Sequence, residues 1–174
     1  MRIYSKLAGA LILVSAIFAS SAQAQQTRTI YLVRHADKVS DDTDAPLSDA
    51  GRVRAECLAK TLADAQVQQI FTSDLQRTQQ TASPLSQPLH LQPVAIPISR
   101  PDDLVKAIRS GKAASVLVVW HDQTLPGILR ALGTPEIRPI GHLEYDRFFV
   151  VTLPADGKQS GTGFAALRYC ISSR

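Results

Sequence analysis

Sulfur and aromatic side chains are scarce in this chain of 174 residues, which has two cysteines, one methionine, one tryptophan and 6% aromatics. Cys57 and Cys170 stand far apart, with no Cys-x-x-Cys and no nearby histidine pair, which argues against a zinc site. No Gly-x-Ser-x-Gly occurs, so the elbow of a serine hydrolase is missing. Asp41, Asp42 and Asp44 make an acidic run without the glycine and distal glutamate of a calcium loop, and they read as solvated. There is no internal repeat and no low-complexity tail. Neither sign of charge dominates: the formal net charge is +4, with the charges scattered, and nothing asks for nucleic acid or a membrane surface.

Long apolar runs are also lacking after the first two dozen residues. Arg2 and Lys6 precede an apolar stretch from Leu7 to Ser20, and Ala22-Gln23-Ala24 supplies the small-x-small pattern of a signal-peptidase site. The stretch is shorter than the roughly 20 apolar residues that span a bilayer comfortably. Residues 1–24 are therefore expected to be a cleaved signal peptide, and residues 25–174 a single exported domain, periplasmic or secreted, with no stable membrane insertion. Cys57 and Cys170 would meet an oxidising compartment, where either a disulfide tying the first helix to the last strand or two separate buried thiols fits the sequence.

What is present alternates. Thr29–Val33 is β-branched and aromatic and reads as a central strand. Ser48 and Asp49 open a helix in which Val53, Cys57, Leu58 and Leu62 recur at helical spacing to about Ala65. Gln69–Thr72 is a short strand, and Ser73 reads as the cap of a helix from Asp74 to about Ser83, ended by Pro84 and Pro88. A strand at Pro93–Ile98, a helix at Asp102–Ser110, an apolar strand at Ser115–Trp120 and a helix at Leu125–Leu132 closed by Gly133 follow. Arg147–Leu153 and Phe164–Tyr169 are the last strands. The pattern predicts a three-layer α/β/α sandwich with a mostly parallel central sheet.

Three segments sit where a strand ends: Val33-Arg34-His35-Ala36, Ser73 to Thr78, and Val119-Trp120-His121-Asp122. Ligands bind outside such carboxyl ends in open α/β sheets, so Arg34, His35, Arg77 and His121 are expected to converge. The set suits a phosphate monoester. His35 would attack through one ring nitrogen, provided the other is held by a hydrogen bond. Arg34 and Arg77 would offer forked, permanently charged donors, and His121 would donate to a phosphate oxygen. The helix beginning near Asp74 could add backbone N–H groups.

These residues resemble the histidine phosphatase superfamily, in its phosphoglycerate-mutase-like branch. Leu32–Lys38 is similar to the segment around that family's phosphorylated histidine, Pro46-Leu47-Ser48 with Gly51 to its first helix start, and Thr72–Thr78 with Gln80-Thr81-Ala82 to its second-arginine helix. Val118–His121 with Thr124-Leu125-Pro126 is similar to its second-histidine segment, and Glu144–Arg147 fits the layout of its small exported members. The resemblance implies that His35 is the nucleophile, that Arg34, Arg77 and His121 form the phosphate pocket, and that no metal or organic cofactor takes part.

Two positions depart from the family pattern. Trp120 replaces a glycine before the second histidine, where it would narrow the pocket, stack on an organic substrate or displace His121. Asp122 replaces an uncharged residue after it, and is either the proton donor to the leaving group, as in the His-Asp pair of the acid-phosphatase branch, or a cap on the following helix. The expected function is a metal-independent phosphatase for small or envelope-bound phosphate monoesters. The alternative is a degenerate phosphate-binding or interaction protein of the same fold.

Overall fold

The computed structural model describes residues 27–155 and 161–170; the expected signal peptide lies outside them. Six strands and four helices follow one another as β1 (Thr27–Arg34), α1 (Asp49–Thr61), β2 (Gln69–Ser73), α2 (Gln76–Ser86), β3 (Val94–Ile96), α3 (Pro101–Ser110), β4 (Ser115–Trp120), α4 (Leu125–Leu132), β5 (Arg147–Pro154) and β6 (Gly163–Arg168). They form one sheet in the order β3-β2-β4-β1-β5-β6. The ladders joining β3, β2, β4 and β1 are parallel, whereas β5 runs antiparallel to both β1 and β6. The sheet is thus mixed, with β5 alone reversed.

Period-two alternation sorts the strands' side chains onto two faces. On one, Val33, Ile70, Leu117 and Val119 pack with Leu58 and Leu62 from the first helix and Ala82 and Leu85 from α2. On the other, Ile30, Leu32, Val116, Val118 and Trp120 pack with Leu104 and Ile108 of α3 and with Leu125, Ile128, Leu129 and Leu132 of α4. These are the three layers expected from the alternating elements.

Local chemistry sets the helix ends. Ser48 caps α1, its hydroxyl accepting from the Gly51 N–H at 3.1 Å. The buried stripe of α1 is Gly51, Ala55 and Leu58; Val53, expected on it, is 70% exposed. A Cβ on Gly51 would lie 2.0 Å from the Asp37 carbonyl oxygen, so a hydrogen there is what lets α1 rest directly on the loop that follows β1. Gly133 closes α4 at φ 95°, a left-handed conformation suited to glycine.

Pro84 does not end α2. It removes one bond, to the Gln80 carbonyl, yet the helix runs on to Ser86 with the Gln87 N–H returning to the Ser83 carbonyl. Cys57 and Cys170 are joined in a disulfide with Cα atoms 6.1 Å apart, across 113 residues of sequence. It ties α1 to the segment after β6.

Candidate active site

His35 and His121 follow the adjacent parallel strands β1 and β4, and by strand parity both belong to the face that carries α1 and α2. Both side chains are buried, with ring centroids 5.3 Å apart. The His35 N–H donates to the Trp120 carbonyl at 2.9 Å, which prolongs the β1–β4 ladder and sets the two histidine segments side by side.

His35 Nδ1 lies 2.8 Å from the carbonyl of Ala36. A carbonyl only accepts, so Nδ1 carries the hydrogen and Nε2 keeps its lone pair, as a nucleophile requires. The loop is itself pinned: the Ala36 N–H donates to Thr81 Oγ1 at 2.9 Å, and the Leu47 N–H donates to Gln80 Oε1 at 2.8 Å. Burial pushes the His35 pKa down to about 3; the Ala36 bond opposes this, while His121, Arg34 and Arg77 add to it. His121 is pushed down to about 3 as well, by burial first and then by Arg77 and Arg34. Both rings are neutral at ordinary pH.

The two arginines are anchored in the same way. Arg34 Nη1 donates to the carbonyls of Gly141 at 3.0 Å, His142 at 2.7 Å and Glu144 at 3.3 Å, and its guanidinium lies over the Tyr145 ring at 4.1 Å. Arg77 Nη1 donates to the Thr43 carbonyl at 2.7 Å, and its Nη2 lies 3.5 Å from His121 Nδ1. In both side chains Nη1 is spent on backbone, and in both Nε is buried without a hydrogen-bond partner. Each therefore keeps its Nε–Nη2 edge for something else, and that edge is the fork that grips carboxylates and phosphates.

Asp122 does not cap α4. The cap position of α4 is Thr124, and Asp122 Oδ1 accepts only from the N–H of its neighbour Gln123, at 3.0 Å. Its Oδ2 lies 3.1 Å from Arg34 Nη2. Asp122 instead sits on Arg34 where an oxyanion would bind.

Trp120 is also placed differently from each of its three expected positions. It is fully buried in the core cluster with α3 and α4, because its parity is opposite to that of His121. It neither narrows the site nor meets a substrate. The first turn of α2 is not open to an anion: the Gln76 N–H donates to Asp44 Oδ1 at 2.7 Å. Asp44, read from the sequence as part of a solvated run, thus holds that helix end.

Three contributors had no place in the site from sequence; one of them, Ser73, was expected to cap α2, whose cap position is instead Leu75. Tyr145, buried over Arg34, has its ring centroid 5.9 Å from that of His35. Ser73 touches His121, with Nε2 and Oγ 2.8 Å apart. Glu144 knits the loop that receives Arg34: it accepts from Arg138 Nη1 and the Gly141 N–H, each at 2.8 Å, and from Arg168 Nη2 at 3.1 Å. Those bonds, Arg138's first, hold its carboxyl well below the usual range. Among the described residues no group of three or more His, Cys, Asp or Glu side chains is arranged to hold a metal ion, and no helix is long and apolar enough to cross a membrane.

The family model of the histidine phosphatase superfamily (branch 1) matches residues 30–98, the stretch that carries Arg34, His35 and Arg77. No curated protein matches the chain in sequence. Among solved structures, the protein histidine phosphatase SixA in complex with tungstate is similar at 22% identity and TM-score 0.61, over 80% of this chain and 96% of that one. A mycobacterial glucosyl-3-phosphoglycerate phosphatase is similar at 15% identity and TM-score 0.63, over 83% of this chain and 99% of that one. A second mycobacterial protein, described as hydrolase 2, reaches TM-score 0.64 at 14% identity, over 84% and 94%. At these identities the likeness speaks for the fold, and the sequence match covers three of the four converging residues, Arg34, His35 and Arg77. Residues 30–98 thus match the histidine phosphatase superfamily (branch 1), and the chain shares its fold with these solved phosphatases.

Proposed function

We propose that this protein is an exported, metal-independent phosphatase that hydrolyses phosphate monoesters through a phosphohistidine on His35. One observation carries the reading: a buried arginine, Arg34, and a half-buried one, Arg77, each anchored through Nη1, keep their Nε–Nη2 edges only partly filled beside a neutral histidine with a bare Nε2. Permanently charged forks next to an uncharged nucleophile are what phosphoryl transfer asks of a site.

The reaction has two steps. His35 Nε2 attacks phosphorus, the bond to the ester oxygen breaks, and that oxygen takes a proton from the phosphate's own P–OH or from solvent as the alcohol leaves. Water then attacks the phosphohistidine, the N–P bond breaks, and inorganic phosphate departs as the ring regains its lone pair. Arg34 and Arg77 stay charged throughout and neutralise the equatorial oxygens. The first oxyanion to arrive must take Arg34 Nη2 from Asp122.

The leader pattern of residues 1–24 supports export, and the Cys57–Cys170 disulfide fits an oxidising compartment. Small or envelope-bound phosphate monoesters are the favoured substrates there. The alternative of binding without turnover rested on Trp120 and Asp122, and the burial of Trp120 in the core removes the first support. The test is phosphate release from a panel of monoesters, with and without EDTA, beside His35→Ala. EDTA-resistant release that is lost in the variant, with oxyanion binding retained, is the expected result. Release that persists in His35→Ala overturns the phosphohistidine, and release abolished by EDTA overturns metal independence.

A further inference from the structure

Ser73 ends β2 with its side chain buried, in the middle of a short chain of polar contacts. His121 Nε2 lies 2.8 Å from Ser73 Oγ, and Ser73 Oγ lies 3.0 Å from Thr78 Oγ1. Thr78 Oγ1 lies 2.8 Å from the Leu75 carbonyl and 3.1 Å from that of Ser73. The Leu75 N–H donates to Ser73 Oγ at 3.2 Å. On the far side of the ring, Arg77 Nη2 is 3.5 Å from His121 Nδ1.

The hydrogens along this chain follow by elimination, because both ends are groups with a single role. A carbonyl only accepts, so the Thr78 hydroxyl donates to one of its two carbonyls. Thr78 Oγ1 is then the acceptor for the Ser73 hydroxyl. One lone pair of Ser73 Oγ is taken by the Leu75 N–H, and the other is left for an N–H from His121 Nε2. At the opposite end a guanidinium only donates, so the ring nitrogen facing Arg77 must be bare. Two assignments made from independent ends meet at the ring and agree: Nε2 carries the hydrogen and Nδ1 does not. His35 holds the opposite tautomer.

We propose that Ser73 is a positioning residue that holds His121 as the Nε2–H tautomer, so that the ring meets an incoming phosphate with an empty Nδ1 and takes up a proton as the phosphate binds. The proton-uptake half rests on the phosphatase reading and deepens it; the tautomer half stands without it. In the free site His121 is an acceptor towards Arg77. It can donate to a phosphoryl oxygen only after gaining a proton at Nδ1. A monoanionic monoester brings that proton on its own P–OH group; a dianion draws one from solvent. The resulting imidazolium donates through Nε2 to Ser73 and through Nδ1 to the phosphate.

The charges around the ring explain why uptake waits for the ligand. Arg34 from β1 and Arg77 from α2 oppose protonation, and Asp74, ahead of α2, favours it. Asp122, after β4, is committed to Arg34, and His35 beside the ring is neutral. Two added negative charges on a bound phosphate reverse that balance.

The test uses the mature full-length protein labelled with 15N-histidine, and inorganic phosphate as the probe. In the free protein the His121 signals, identified by their loss in His121→Gln, should show a bare Nδ1 and a protonated Nε2. Ser73→Ala, with an unchanged circular dichroism spectrum, should give mixed tautomers and bind phosphate about tenfold or less more weakly; Ser73→Thr should restore both. Calorimetry at alkaline pH, in buffers of different ionisation enthalpy, should show uptake of about one proton per phosphate bound. A protonated Nδ1 in the free protein, or an unchanged tautomer in Ser73→Ala, overturns the positioning role. Phosphate binding without proton uptake overturns the acceptor role. Failure to bind phosphate at all overturns the phosphatase reading and the uptake that depends on it, while the tautomer result is read separately.

Discussion

Replacing Asp122 by Asn should tighten phosphate binding, although the residue lies in the site and carries a functional group. Its Oδ2 is 3.1 Å from Arg34 Nη2, and at an effective dielectric constant of about 20 two unit charges at that distance attract by about 5 kcal/mol. Most of this is offset by desolvation and by partial exposure of the carboxylate. What an incoming oxyanion must give up is closer to one charge-assisted hydrogen bond, about 1.5–3 kcal/mol. An amide of the same shape still bonds Arg34 through its oxygen but without the charge, and it does not repel a dianion once displaced. Competitive inhibition by inorganic phosphate, measured with p-nitrophenyl phosphate as substrate, should therefore strengthen by about tenfold or more in Asp122→Asn, and KM should fall with it. The variant should also lose stability, since Arg34 is left with a weaker partner. An unchanged or weakened inhibition constant would refute the displacement argument. A normal KM with slower turnover, confined to esters of poor leaving groups, would show instead that Asp122 supplies the proton.

Both buried histidines should make stability depend on pH. Their folded pKa values, about 3, lie below the ordinary 6.5, so between those limits the unfolded chain binds more protons and stability falls with falling pH. The loss reaches about 1.4 kcal/mol per pH unit for each ring, and urea midpoints at pH 7 and pH 5 should differ less in His35→Ala than in the parent. Gly51→Ala places a Cβ against the Asp37 carbonyl oxygen, where the contact is backbone and cannot swing aside. It should destabilise by about 1–3 kcal/mol and lower turnover by shifting the loop of His35, with both read by thermal melts and phosphate release. Breaking the disulfide with Cys57→Ser and Cys170→Ser frees a loop of more than a hundred residues, and loop entropy puts the loss at about 4–5 kcal/mol. A parent protein whose melting temperature does not change on reduction would contradict it.

The layered fold was legible because strands and helices alternate with distinct periods, and the convergence of Arg34, His35, Arg77 and His121 followed from their places at strand ends. The same period of two would have placed Trp120: it is one residue from His121, so the two must face opposite sides of the sheet. Val53 was misplaced for a related reason. A single apolar residue at helical spacing does not locate the stripe when a glycine and an alanine provide the close approach. Ser73, Tyr145 and Asp44 were hidden because their partners are remote. Tyr145 acquires its role only when the Gly141–Glu144 carbonyls fold over Arg34, and Asp44 only when its loop reaches the start of α2. Nothing in local composition encodes such meetings.

The Cys57–Cys170 bond makes the span between those residues a closed covalent ring, from which the segment bearing His35 leads off as a tail. A protease that cuts once anywhere inside the ring opens it without releasing a piece. Arg77 and His121 then remain tethered through α1 to His35, although the backbone is severed. On a non-reducing gel the nicked protein would run as one species, and only a thiol would reveal two. In a compartment where proteases are encountered, one peptide bond can be lost before any part of the site can diffuse away.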